Sequence, residues 1–415
     1  MTRNASEVEI MAPVGNFESL MAAIQGGANS VYFGIGHLNM RSKSTVNFTL
    51  NDLSEIVSTC KQNSIKTYLT VNTVLYDHDL VVLHKTIEAA AKAKVTAIIA
   101  SDQAAILYAR ELGVEVHLST QLNISNTQAL KFYSQWADVA VLARELSLDQ
   151  VAAIARNIEE QKIVGPSGSI VKLEIFAHGA LCMAVSGKCY LSLHQANSSA
   201  NRGACLQICR RSYTVTDNET GDQLEIDNEY IMSPKDLCTI GFLNKIIDSG
   251  VTVLKLEGRA RSPEYVKTVT QCYREAVDSI AEGTYNQDKI DQWMERLAKV
   301  FNRGFWGGYY LGQKLGEWSH VYGSVSKERK IYVGKVTNFF SKLGVSEIKV
   351  EATNLFENDK LLIIGPSTGV VEFIANEIRV DDKVAKEVTK GVKCSVHTPE
   401  LVRRNDKVYR LVSND

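Results

Sequence analysis

Cys182, Cys189, Cys205 and Cys209 fall in one polar, glycine-containing stretch, EIFAHGALCMAVSGKCYLSLHQANSSANRGACLQICRR, and Cys238 follows in SPKDLC. Thiolate is the soft ligand preferred by zinc and by iron–sulfur clusters, so four cysteines at this density can supply one metal centre. Zinc ribbons and knuckles pair C-x2–4-C twice. Here six residues separate the first pair and three the second, a spacing that favours an iron–sulfur cluster over zinc. A single free cysteine is more often a small buried apolar residue. Cys60, Cys272 and Cys394, scattered through apolar-patterned segments, are read that way. Cys238 stands as an alternative to Cys209 for the fourth ligand.

A metal-bearing loop needs a rigid frame, and the surrounding pattern supplies one. Short apolar, β-branched runs recur at 9–14, 30–35, 66–71, 97–100, 115–119, 139–143, 172–177 and 251–257. Helical periodicity fills the intervals, as at 51–61, 80–92, 103–112 and 148–160. Eight β-then-α units predict an α/β fold of the (β/α)8 TIM-barrel type. A doubly wound sheet would carry G-x-G-x-x-G after its first strand, whereas this chain has APVGNFE there. Barrel chemistry sits at the C-terminal ends of the strands, where Asn72, Asp102, Gln121, Arg144, Glu145, His178, Glu257 and Arg259 fall.

The predicted domains are a barrel over 1–285 with a cysteine-rich insertion at 179–250 after the seventh strand, a connector over 286–329, and a small antiparallel β-barrel over 330–415. The insertion is far longer than the other loops, and long loops at a catalytic face are usually functional. The connector holds a helix at 289–301 and the run FNRGFWGGYYLG. Short strands at 331–336, 345–350, 360–364, 370–374, 393–396 and 407–411 build the last domain. Phe301, Phe305, Trp306, Tyr309 and Tyr310 are read as packing that domain onto the barrel.

The chain has 415 residues, 46 Lys+Arg against 47 Asp+Glu and a formal net charge of −1, so it exerts no global attraction on nucleic acid or anionic membrane. RNA would have to meet a local basic patch. Lys188, Arg202, Arg210 and Arg211, with Tyr190 and Tyr213 between them, offer phosphate contacts and stacking. The start, MTRNASEVEIMAPVG, lacks a signal peptide's apolar core, and no window reaches the roughly 18 apolar residues of a membrane span. A cytoplasmic protein without a membrane partner is expected, in a compartment that disfavours disulfides.

The motif residues carry a resemblance. Glu174, Phe176, Gly179, Ala180, Leu181, Cys182, Gly187, Cys189, Leu191 and Ser192 match the E-x-F-x-x-G-[SA]-[LIVM]-C-x4-G-x-C-x-[LIVM]-S pattern of the collagenase-like peptidases, family U-32. MAPVGN, LNMRS, NRGACLQICRRSY, SPKDLC, KLEGRARSPEY and FNRGFWGGY also resemble that family, so the likeness spans about residues 8 to 312. The resemblance implies more than peptidase chemistry. Relatives include hydroxylases with an oxygen-labile 4Fe-4S cluster on four cysteines. One branch converts the wobble uridine of tRNA to 5-hydroxyuridine with prephenate and no molecular oxygen. Others act on a 23S rRNA cytidine or on ubiquinone precursors. Length and the C-terminal domain resemble the tRNA branch, with Cys182, Cys189, Cys205 and Cys209 as the implied ligands, and tRNA in its anticodon region as the partner.

With prephenate as co-substrate, two carboxylates need binding, and the planar fork of arginine suits them. Arg41, Arg144 and Arg259 are placed for this, with Arg259 first. Lys255 and Glu257 are read either as site residues or as paired interior charges. His178 is an acid–base candidate or a supporting group, and Asp102 and Gln121 are candidates for the uracil edge, Asp102 also fitting a helix N-cap. Two other classes stay open. A collagenase-like peptidase would pair a cysteine with His178 or His194 or use a metal, although neither G-x-S-x-G nor H-E-x-x-H occurs. The other is a non-catalytic RNA-binding protein with structural zinc.

Overall fold

The computed structural model describes residues 5–43, 47–214, 216, 218–221, 232–314 and 316–414. Residues 222–231 of the expected insertion therefore lie outside the described residues.

Each expected apolar run becomes a strand: β1 Glu9–Pro13, β2 Ser30–Gly34, β3 Lys66–Val71, β4 Ala97–Ala100, β5 Glu115–Leu118, β6 Val139–Val141 and β7 Lys172–Gly179. After the cysteine-rich segment come β8 Asp236–Cys238 and β9 Val253–Leu256. The strands β1 to β7 and β9 pair in parallel around a closed ring, which β9 completes by bonding to both β1 and β7. Such strands are covered on both faces, so they read as unbroken apolar runs rather than as alternation. Ile10 and Ala12 face the helix layer, while Met11, Tyr32, Tyr68, Ile99 and Val253 form a separate cluster inside the ring.

Local chemistry sets the helix starts. The Asn16, Asp102, Asn126, Ser147 and Asn286 side chains each accept a main-chain N–H at a helix N-terminus. The barrel interior is not wholly apolar. Glu174, His117 and Lys255 are buried in it, and the Tyr68 hydroxyl donates to Glu9 Oε1 at 2.6 Å.

The insertion folds back on the barrel. β8 pairs antiparallel with the end of β7, His178 opposite Cys238, and β10 Phe305–Trp306 pairs with β8. The aromatic run therefore packs differently from the sequence expectation. Trp306 and Tyr310 are buried in the barrel's own core, and the Tyr310 hydroxyl donates to the Phe176 carbonyl at 2.8 Å.

The C-terminal part is an antiparallel eight-stranded sheet around its own core of Val333, Ile348, Leu361, Val371, Val396 and Val408. It docks through helices Phe17–Gln25 and Pro263–Ala281. Gln25 Nε2 donates to the Thr368 carbonyl and Gln25 Oε1 accepts from Val370 N, each at 2.9 Å, while Lys267 Nζ donates to the Val370 carbonyl at 2.8 Å. No helix among the described residues is long and apolar enough to cross a membrane.

Candidate active site

The C-terminal ends of the strands open into one cavity with about 1490 Å³ of empty space that reaches solvent. β3 contributes Thr70, β5 is followed by Gln121, β6 by Arg144, and β9 contributes Lys255 and is followed by Glu257 and Arg259. Cys182, Cys189, Cys205 and Cys209 all line the same cavity.

The cysteine-bearing segment is tied down at several points. Val74 N donates to the Asn201 carbonyl at 3.0 Å, and Asn123 Nδ2 donates to the Ser186 carbonyl at 3.0 Å. Gly203 has φ +81°, and a Cβ there would lie 2.2 Å from Ser42 Oγ and 2.4 Å from the Asn39 carbonyl oxygen. Only glycine meets both demands, so segments 38–43 and 200–205 close against each other. Gly179, at the end of β7 with φ +103°, similarly lets the Glu257 carbonyl approach.

Cations dominate the walls. Arg41, Arg144, Arg210, Lys255, Arg259, Arg261 and Arg303 line the cavity against one carboxylate, Glu257. Arg41 Nη2 lies 2.6 Å from Glu257 Oε1, and the Tyr32 hydroxyl donates to Glu257 Oε2 at 2.9 Å. Burial pushes the Glu257 carboxyl up, but Arg41 and Arg144, with the Tyr32 hydroxyl, overcome this and bring it down to about 2. Lys255 Nζ meets Glu174 Oε1 at 2.7 Å beneath the floor. Arg259 is buried and donates to Thr70 Oγ1 at 2.9 Å and Asn39 Oδ1 at 2.6 Å. Lys255 and Glu257, read as possible paired interior charges, are not paired with each other: Lys255 meets Glu174 and Glu257 meets Arg41.

The four thiols differ from the other cysteines. Cys182 is exposed and Cys189, Cys205 and Cys209 are half-buried, whereas Cys60, Cys238, Cys272 and Cys394 are buried. Burial pushes the Cys209 thiol up, Arg210 opposes this, and Cys182, Cys205 and Cys189 raise it further, as follows when four thiols share one space. A tetrahedral zinc site with Zn–S near 2.3 Å would draw its sulfurs to within roughly 3.8 Å of one another. Among the described residues no three Cys, His, Asp or Glu side chains converge on a single-ion site. A polynuclear cluster asks for a wider set, because each thiolate binds a different iron. Four thiols lining one cavity match such a cluster in the number and softness of the donors.

Other sequence candidates are placed elsewhere. His178 is buried behind the cavity against Tyr273, Tyr265 and Phe305, and burial brings it down to about 3, so it stays neutral and is no acid–base group of the site. Cys238 is also turned away: its Sγ lies 3.7 Å from Met294 Sδ, and burial raises its thiol to about 11. Asp102 caps a helix, accepting from Ala104 N at 3.0 Å, and does not line this cavity. Arg202, read as a phosphate contact, pairs with Asp79 at 2.7 Å and stacks over Tyr76. Arg210 is a buried clamp donating to Ser233 Oγ and to the Pro234 and Leu181 carbonyls. Lys188, Tyr190 and Arg211 remain exposed.

Sequence reasoning missed Tyr32, Arg261 and Arg303. Arg261 and Arg303 lie inside two quoted runs, KLEGRARSPEY and FNRGFWGGY, whose second arginine and whose distant partner strand gave the only available signal.

Comparison with known proteins gives the context. The family model described as peptidase family U32 matches residues 15–320. The chain is 59% identical over 98% of its length to a Porphyromonas gingivalis protein named collagenase, covering 98% of that protein. It is 33% identical to the tRNA hydroxylation protein P1 of Bacillus subtilis, over 89% of this chain and 87% of that one. It is 30% identical to the 23S rRNA 5-hydroxycytidine C2501 synthase of Escherichia coli, over 91% of this chain and 55% of that one.

Proposed function

The chain belongs to peptidase family U32, and on that premise we propose that it is an RNA hydroxylase that converts the wobble uridine of tRNA to 5-hydroxyuridine. The observation that carries this reading is the sharing of one electropositive cavity by four accessible or half-buried thiols and an excess of arginine. Relatives of about 30% identity that are named for tRNA and rRNA hydroxylation support it. In this reading Cys182, Cys189, Cys205 and Cys209 hold a 4Fe-4S cluster, and prephenate is both oxygen donor and oxidant: one oxygen atom enters the C5–H bond of uracil, the hydrogen ending on the new hydroxyl, and the donor takes up the two electrons. The cluster, when bound, would supply one-electron or Lewis-acid chemistry beside the donor.

The chain's own residues do the positioning. Their uncompensated positive charge draws an anionic co-substrate to the floor of the cavity. The Arg41–Glu257–Tyr32 linkage keeps the Glu257 carboxylate ionised and in place, so it orients its neighbours rather than taking up a proton near neutral pH. Gln121, bonded through its Oε1 to Asn72 Nδ2, stands at the wall as an amide able to read a base edge. Lys188, Arg211 and the ring of Tyr190, exposed along the cysteine-bearing segment, are available to an anticodon loop.

The 59% identical relative named collagenase favours a peptidase as the second reading. A cysteine nucleophile needs a base, however, and no histidine lines the cavity among the described residues.

The test is iron and acid-labile sulfide content of protein purified without oxygen, with tRNA nucleoside analysis in the presence and absence of prephenate. About four irons and four sulfides per chain are expected, lost in each Cys→Ala variant at 182, 189, 205 and 209 and retained in Cys238→Ala. Zinc, or a single essential cysteine with gelatin cleavage, would return the protein to the peptidase or structural-zinc readings.

A further inference from the structure

The barrel interior holds charge where such folds are ordinarily filled by branched apolar side chains. His117 on β5, Glu174 on β7 and Lys255 on β9 are all buried there. Lys255 Nζ, which also lines the cavity, has Glu174 Oε1 at 2.7 Å as its hydrogen-bond partner, with the Tyr32 ring centre at 4.7 Å. The other carboxylate oxygen, Oε2, lies 3.8 Å from His117 Nδ1. Both of these atoms are buried, and neither has a hydrogen-bond partner among the described residues. Two unmatched polar atoms facing each other away from water cost free energy, which a proton held between them recovers. A shift of about 1 Å brings the 3.8 Å gap to hydrogen-bond length.

Beyond His117 the line reaches solvent. His117 Nε2 lies 3.2 Å from Glu115 Oε1, and the Glu115 side chain is 40% exposed at the start of β5, the end of the barrel away from the cavity. The other polar groups around the imidazole are engaged. Glu9 accepts from the Tyr68 hydroxyl and from Lys66, each at 2.6 Å, and the Tyr68 ring lies 4.4 Å from the imidazole, centre to centre. The neighbours on the adjoining strands, Ile99 and Val139, are apolar, while Lys172 and Lys66 act electrostatically on Glu115. With Glu9 paired to Lys66 and Glu174 to Lys255, Glu115 is left for His117, and the interior is neutral when His117 is an imidazolium. Burial opposes that charge, but Glu115 and Glu174 outweigh it and hold His117 above its ordinary range.

We propose that His117 holds a reserve proton for Lys255, handed across Glu174. When Lys255 gives a proton to an oxygen of a molecule bound in the cavity, the Nδ1 proton of the imidazolium passes to the Glu174 carboxylate and from it to the free amine. His117 is left neutral, with its remaining proton on Nε2 toward Glu115; one proton has moved along the line and no electron has. His117 and Glu174 are thus positioning residues that act through Lys255, the group that faces the cavity. The inference deepens the proposed function by naming the proton donor of the cavity, and it rests on that reading only for the molecule that receives the proton.

The experiment is nuclear magnetic resonance of the full chain, purified without oxygen, with its histidine ring nitrogens isotopically labelled and the pH raised from acid to alkaline. The chain has eight histidines. The His117 signal is assigned by its loss in His117→Gln or, where that variant does not fold, by substituting the other histidines in turn. It is expected to show both ring N–H groups at neutral pH and to titrate above the ordinary 6.5. Lys255→Met leaves Glu174 to the imidazolium and should raise that titration by about one pH unit or more, whereas Glu174→Gln should lower it by as much. The double variant Glu174→Gln/Lys255→Met, which strands no ion, should lower it as Glu174→Gln does, with thermal unfolding confirming the fold, and Lys188→Gln should leave it unchanged. A neutral His117 at neutral pH, or a charge that none of the interior variants moves, would overturn the proposal. Hydroxylation of tRNA separates the two claims. A protonated, coupled His117 in a protein that hydroxylates no tRNA removes the proposed function and leaves the reserve proton. Hydroxylation whose rate falls on the alkaline side at the same pH in the parent and in His117→Gln removes the reserve proton and leaves the function.

Discussion

Lys255 and Glu174 meet 2.7 Å apart inside the barrel, where either charge alone would be poorly tolerated. Glu174→Gln should therefore cost about 3–5 kcal/mol in urea unfolding, while a paired apolar replacement of Glu174 and Lys255 should cost clearly less. An equal loss in both would show that packing, not the stranded ammonium, sets the penalty. His178 gives a pH signature. It titrates near 6.5 when free of the fold and at about 3 within it, so between those values the unfolded chain binds more protons. Its contribution is complete above about pH 6.5 and is lost as pH falls toward 3, at up to about 1.4 kcal/mol per unit. Glu257 acts in the same direction lower down, between its ordinary 4.5 and about 2. His178→Phe should flatten the upper part of the acid limb in unfolding midpoints measured from pH 7 to 5. An unchanged limb would place the titration elsewhere.

The cysteine-bearing segment has little regular structure, a helix Leu191–Ala196 and short turns, so tertiary ties hold it in place. Gly203→Ala combines a positive φ with a Cβ driven into Ser42 and the Asn39 carbonyl. It should destabilise by roughly 2–4 kcal/mol or release the segment, seen as faster proteolysis between residues 182 and 214 while the barrel core resists. Cleavage at the rate of the parent protein would mean that the two segments are not coupled. The strand ends behave differently. They are held by the closed ring, and Arg259 and Glu257 gain precision from sitting just past a rigid strand.

At the scale of the whole molecule, the C-terminal sheet is a second body that covers two barrel helices. Leu362, Ile364 and Val370 of that sheet join the main core, and Gln25 bonds to Thr368 and Val370 across the seam. Gln25→Ala leaves a main-chain donor and acceptor unmatched there and should cost about 1–3 kcal/mol, read as an earlier loss of the sheet's docking in thermal unfolding. The sheet docks against helices Phe17–Gln25 and Pro263–Ala281, with Pro263 just past Arg261 and the β9 end.

The sequence by itself determined the barrel, the C-terminal sheet and the thiol-bearing segment. Strands buried on both faces must be runs of apolar residues, helices must alternate with them, and thiols must be present to serve as ligands; such local requirements are written one residue at a time. Asp102, which also fitted a helix N-cap in the sequence, proved to be one. Tertiary structure alone decided which charges remain available. Arg41, Arg202, Arg210 and Arg261 are alike as letters, yet the first three find partners at distant positions, whereas among the described residues Arg261 meets the face of Phe301. It also turned His178 and Cys238 away from the cavity, since the pairing of β7 with β8 sets the faces they present. A side chain's partners depend on segments far apart in the chain being brought together, and that proximity is a property of the closed ring.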